Sequence, residues 1–145
     1  MHKKILVAYD GSVLSRQAIE TAKYYASQDK SIEIHVVSVI ETTGPHTNIH
    51  MKRNIMNELK EKMQPQMDKI AEEFMTKNIT IKTDILSVEH KENPGGLLCE
   101  YANSNNIDLI IMGCRGLGNI RQVILGSVSN NVVQNANCSV LIIKS

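Results

Sequence analysis

The chain has 145 residues, 42% of them hydrophobic, with 16 basic against 15 acidic side chains and a formal net charge of +1 at pH 7. That length suits one compact domain, residues 1–145, with a real core, and the near-balance of charge argues against bulk attraction to nucleic acid or to a membrane surface. With no Trp and one Phe, the chain also lacks the aromatic platforms on which single-stranded nucleic acids stack.

The three cysteines, Cys99, Cys114 and Cys138, follow no metal-type or redox-type spacing and fit a reducing compartment. The first apolar run, Ile5 to Ala8, ends at Tyr9-Asp10, too short for a signal peptide or a membrane span. A soluble cytoplasmic protein is expected. His46 and His50 stand four apart with no third ligand in the pattern, so no metal site is expected.

Lys3 to Tyr9 reads as a short strand buried on both faces, closed by Asp10-Gly11-Ser12 and central in its sheet. Ser12 is a candidate cap for a helix whose apolar positions Leu14, Ala18, Ile19, Ala22 and Tyr25 repeat at helical spacing. Ile32 to Ile40 is a second strand rich in β-branched residues, with His35 inside it as a core residue. A loop follows from Glu41 to Asn48, containing Gly44-Pro45.

From Ile49 to Lys77 the pattern turns helical through Ile55, Leu59, Met63, Met67, Ile70 and Phe74. Pro65 interrupts it. An interior proline costs a regular helix about 3 kcal/mol, which predicts a kink or two helices near Met63. Ile79 to Ser87 is a strand nearer a sheet edge. Asn93-Pro94 supplies a cap and a first helical position for a helix carrying Leu97, Leu98, Tyr101 and Ala102, ending in Asn103 to Asn106. Ile107 to Met112 is the fourth strand, Val128 to Ala136 a short helix, and Ser139 to Lys144 the fifth strand. Strands alternating with helices predict an α/β fold: an open, doubly wound parallel sheet of five strands, Rossmann-like, with helices on both faces.

The stretch Gly113 to Ser129, GCRGLGNIRQVILGSVS, carries the strongest chemical signal. Gly113 and Gly116 are separated by two residues, Gly116 and Gly126 by nine, and Ser127 follows at once. Glycine at such positions permits positive φ and close approach of backbone amides to an anion. A helix starting near Ser127 adds its positive end. Two familiar phosphate motifs are absent, because Arg121 stands where a dinucleotide fingerprint needs a small residue and no glycine is followed by Lys and then Ser or Thr. Ligands of open α/β sheets bind beyond the strands' carboxyl ends, where strand order reverses. If the first and fourth strands are neighbours the order is 3-2-1-4-5, and the site is assembled from Asp10-Gly11-Ser12 and the glycine stretch.

Taken together, the opening KKILVAYDGS, the HVV of the second strand, the NP before the third helix, IDLIIMG and the long glycine motif closing in GSVS resemble the universal stress proteins over nearly the whole chain. The match to the ATP-binding branch lies at Gly113, Gly116, Gly126 and Ser127. The resemblance implies the adenine nucleotide alpha hydrolase-like fold and an adenine nucleotide in the crevice. It implies Ala8 and Asp10 near the adenosine and Val36 on the base through its backbone. Gly113, Arg115, Gly116, Gly126, Ser127, Val128 and Ser129 would surround ribose and phosphates, and Gly11, Ser12 and Met112 complete the expected set. Cys114 departs from the small polar residue more usual at its position.

A triphosphate carries about four negative charges, to be met by Arg115, by Arg121, by a helix end worth about half a charge and by Mg²⁺ held mainly by the phosphates. Asp10 has two readings that are compatible, a turn and cap residue or a ligand contact, and Ser127 has the same two. No general base with a metal carboxylate pair is visible, so the expectation is a regulatory or protective nucleotide-binding module with no catalytic residues. A nucleotide-free module working through protein contacts and a slow ATPase or adenylating enzyme are the alternatives. The resemblance also implies a two-fold homodimer, and the apolar final strand at a sheet edge invites such pairing.

Overall fold

The computed structural model describes residues 3–42, 49–89, 92–115 and 125–144. Nine elements follow in order: β1 (Lys4–Ala8), α1 (Val13–Gln28), β2 (Glu33–Ile40), α2 (Ile49–Met75), β3 (Thr80–Ser87), α3 (Pro94–Ser104), β4 (Leu109–Gly113), α4 (Ser127–Asn135) and β5 (Ser139–Ile143). All pairings are parallel, in the order β3-β2-β1-β4-β5, with β1 central and β3 and β5 at the edges. The expected order and fold class are those observed.

Successive side chains of a strand point to opposite faces, so a strand in the middle of a two-sided sheet feeds two cores. Ile5 and Val7 of β1 pack with Ala18, Ile19 and Ala22 of α1 and with Met67, Ile70 and Phe74 of α2. Leu6 packs on the other face with Leu98 and Ala102 of α3 and Val132 of α4. This is why Ile5 to Ala8 is apolar without alternation. On β3, alternate positions are exposed, as an edge strand with one poorly covered face requires.

Helix starts follow their capping residues. Ser12 Oγ accepts from the Ser15 N–H at 3.2 Å, and Asn93 Oδ1 accepts from the Gly96 N–H at 2.7 Å with Pro94 in the first turn. The expectation of a break at Pro65 is not met as two helices: α2 is one helix of 27 residues with Pro65 inside it. Met67, Ile70 and Phe74, with Met63 on the other side of the proline, join the same core, and burial on both sides outweighs one lost backbone bond. Among the described residues no helix is long and apolar enough to cross a membrane. The expected loop at Gly44-Pro45, together with His46, lies outside the described residues.

Candidate functional site

At the carboxyl ends of β2, β1 and β4 a cavity of about 590 Å³ opens, within the range of small-molecule sites. From β1 it is bounded by Ala8, Tyr9, Asp10 and Ser12, from β4 by Met112, Gly113 and Arg115, and from α4 by Gly126, Ser127, Val128 and Ser129. The two sequence-distant stretches expected to meet therefore do meet.

Beyond β1 the chain is fixed by its own polar groups. Asp10 Oδ1 accepts from the Ser12 N–H at 2.9 Å, and the Asp10 N–H donates to Ser15 Oγ at 3.3 Å. Between them Gly11 has φ +86°, a left-handed conformation that favours glycine. Asp10 is thus a turn former that also lines the cavity, and Ser12 is both the α1 cap and a wall residue. Gly11 is exposed and is not among the lining residues.

Beyond β4 one carbonyl organises the site. Cys114 C=O accepts from the Gly126 N–H at 2.6 Å and from Ser129 Oγ at 2.6 Å, while the Cys114 N–H donates to the Ile143 C=O at 2.9 Å. Cys114 at the end of β4 and Gly126 and Ser129 at the start of α4 are so held together beside the cleft. Gly126, not Ser127, is the N-cap of α4 and makes no side-chain cap bond. Its φ of −75° is open to any residue. Gly113 is required for a different reason from the one expected: a Cβ there would lie 2.7 Å from Leu14 Cβ, so the glycine lets β4 approach α1. Gly116 and Arg121 lie outside the described residues.

Val36 is placed elsewhere. It is fully buried in the core under α1 and α2, whereas Val37, Val39 and Glu41 line the cavity. The parity of the ladder gives the cause. Odd residues of β2 face β1, as the Glu33 N–H to Lys3 C=O and Tyr9 N–H to Val37 C=O bonds show, while Ile40 C=O accepts from the Val88 N–H beyond β3. The last register pair between β1 and β2 is Ala8 with Val37. The next odd residue, Val39, therefore turns its backbone edge towards the space where β1 has ended. Tyr9, Ser15, Pro94 and Leu98 were also unforeseen as lining residues; only knowledge of where each strand stops relative to its neighbour would have found them.

Three helices, α1, α3 and α4, start at the cavity, and none carries an acidic residue in its first turn. Each contributes roughly half a positive charge at its amino end. Arg115 adds a full one on the β4 side, whereas Asp10 and Glu41 supply the carboxylates, Glu41 at the far, β2 end. The cleft is polarised along its length, favouring an anion towards Arg115 and α4.

Other titratable groups serve the core. His35 is 1% exposed, its Nδ1 lies 2.7 Å from Tyr101 Oη, and burial lowers its pKa against the opposing pull of Glu33. The Tyr101 hydroxyl is pushed up to about 12, chiefly by burial. Burial also raises the Cys99 and Cys138 thiols, making them poor nucleophiles. Among the described residues no cluster of three or more metal-ligating side chains occurs.

Fold and cleft together define a doubly wound α/β protein with an anion-favouring crevice at its strand-order reversal. The chain belongs to the universal stress protein family, whose model matches residues 1–144. It is 29% identical over 153 residues to universal stress protein YxiE of Bacillus subtilis, covering 99% of this chain and 100% of that one. The solved structure of MJ0577 from Methanocaldococcus jannaschii is 26% identical with a TM-score of 0.88, covering 100% of this chain and 97% of that one. A family member from Arabidopsis thaliana, solved with AMP bound, shares the fold at 19% identity and a TM-score of 0.64, covering 98% of this chain and 91% of that one.

Proposed function

We propose that the cleft binds an adenine nucleotide, ATP with Mg²⁺ held mainly by its phosphates, and that the protein is a cytoplasmic, nucleotide-responsive regulatory or protective module of the stress response. The observation that carries this reading is the convergence of three helix amino ends, none with an acidic residue in its first turn, and Arg115 on one cavity of nucleotide size. The amides of Ser127 and Val128 and the Arg115 side chain take the phosphates, and Gly116, outside the described residues, is kept as a phosphate contact on its place in the glycine spacing. Ala8, Asp10, Ser12, Met112 and Gly113 form the ribose floor, with Gly11 shaping the turn beneath it. Ser129 acts through its hold on Cys114, and Val39 replaces Val36 on the base edge. An AMP-bound relative of the same fold supports adenine as the base. The role is one of binding, and no residue is assigned to catalysis.

The test is thermal unfolding with and without ATP and Mg²⁺. A ligand at a hundred times its Kd adds about 2.7 kcal/mol to folding stability, so a rise of several degrees is expected. An unchanged melting temperature at millimolar ATP overturns the proposal.

A further inference from the structure

From the geometry of the β2 end of the cleft we infer that Glu41 selects the base, its carboxylate accepting a hydrogen bond from the 6-amino group of adenine and rejecting purines that carry a 6-oxo group. The inference rests on the nucleotide reading above and adds a discriminating residue to it. Glu41 follows Val39 by two positions, directly after the end of β2, and shares the cavity wall with it, past the last β1–β2 register pair. The neighbouring wall is apolar, with Val37, Val39, Pro94 and Leu98, a lining suited to a flat ring and not to phosphate.

Polarity sets the ligand's direction. Arg115 and the amino end of α4 lie on the β4 side, so the polyanionic tail goes there, and a carboxylate at the opposite end repels it from the wrong orientation. Asp10, the other acidic lining residue, sits at the end of β1 and already binds the Ser12 N–H. Glu41 is left as the side-chain acceptor at the base end. An exocyclic amine has two hydrogens, one for the backbone edge at Val39 and one for Glu41. A 6-oxo group presents only lone pairs, and setting them against a carboxylate is unfavourable.

Equilibrium titrations of ATP and ITP, which differ at the 6-position, and of 2′-deoxy-ATP into wild type and Glu41→Gln provide the test, with thermal unfolding as a check that the exposed substitution leaves the fold intact. Wild type should prefer ATP over ITP by about tenfold or more, and Glu41→Gln, whose amide can donate to a 6-oxo group, should shrink that preference by about threefold or more, leaving the ratio of ATP to 2′-deoxy-ATP unchanged. An ATP-to-ITP ratio that survives the substitution overturns the role of Glu41 while the nucleotide reading stands. A change confined to the 2′-deoxy-ATP ratio overturns it too, moving Glu41 to the ribose. Failure of wild type to bind any of the three overturns both.

Discussion

Gly113 illustrates how one residue joins packing to function. It lines the cleft, and the 2.7 Å separation its missing Cβ would have from Leu14 Cβ leaves β4 and α1 no room to part without opening the core. Gly113→Ala is expected to destabilise the fold by about 1–3 kcal/mol through overpacking, read as a lower midpoint in urea; an unchanged midpoint would contradict the close approach. The sequence singled out this glycine and Gly126, and both line the cleft. Its physical reading of them, positive φ, applies in the described residues only to Gly11 among the glycines. A sequence records that a side chain is missing but not which neighbour fills the space. The placement of Val36 in the core and of Val39 at the cleft has a similar origin: β2 is apolar at both positions, and the residue facing the cleft depends on where β1 stops.

At the scale of elements, α1 and α2 are tied across the sheet face by charge as well as by apolar contact. Glu73 of α2 accepts from Arg16 and from Lys23 Nζ, the latter at 3.1 Å, and Lys23 also stands 5.7 Å from the centre of the Phe74 ring. The Arg16 hydrogen bond, with Lys23 adding to it and burial opposing it, lowers the Glu73 carboxyl from its ordinary 4.5 to about 2. A carboxyl depressed in the folded state binds its proton first in the unfolded chain, so this contribution is present above pH 4.5 and is lost as pH falls towards 2. Glu73→Gln should therefore lose less stability than wild type between pH 4.5 and 2, measured by urea unfolding at each pH. Equal losses would show that Glu73 gains nothing from its partners. Helix starts at Ser12 and Asn93 were legible because capping is local chemistry. The continuity of α2 through Pro65 was not, since it depends on a core assembled from distant strands.

For the whole molecule, the order β3-β2-β1-β4-β5 brings the segment after β1, residues 112–115 and residues 126–129 to one cleft, and strand–helix alternation together with the Asp10-Gly11-Ser12 and glycine signals made that assembly readable in advance. The same order leaves β5 at an edge, with Val140, Leu141, Ile142 and Ile143 all only partly buried. We propose that a second copy of the chain pairs with this edge; light scattering should give about twice the 16.2 kDa of one chain, and a monomer across micromolar concentrations would contradict it. The account as a whole is tested most directly by a crystal grown with ATP and Mg²⁺. It predicts nucleotide density running from Val39 at the base to Gly126 and Ser127 at the phosphates; a cleft without nucleotide at saturating ATP, or a nucleotide bound on another face, would contradict it.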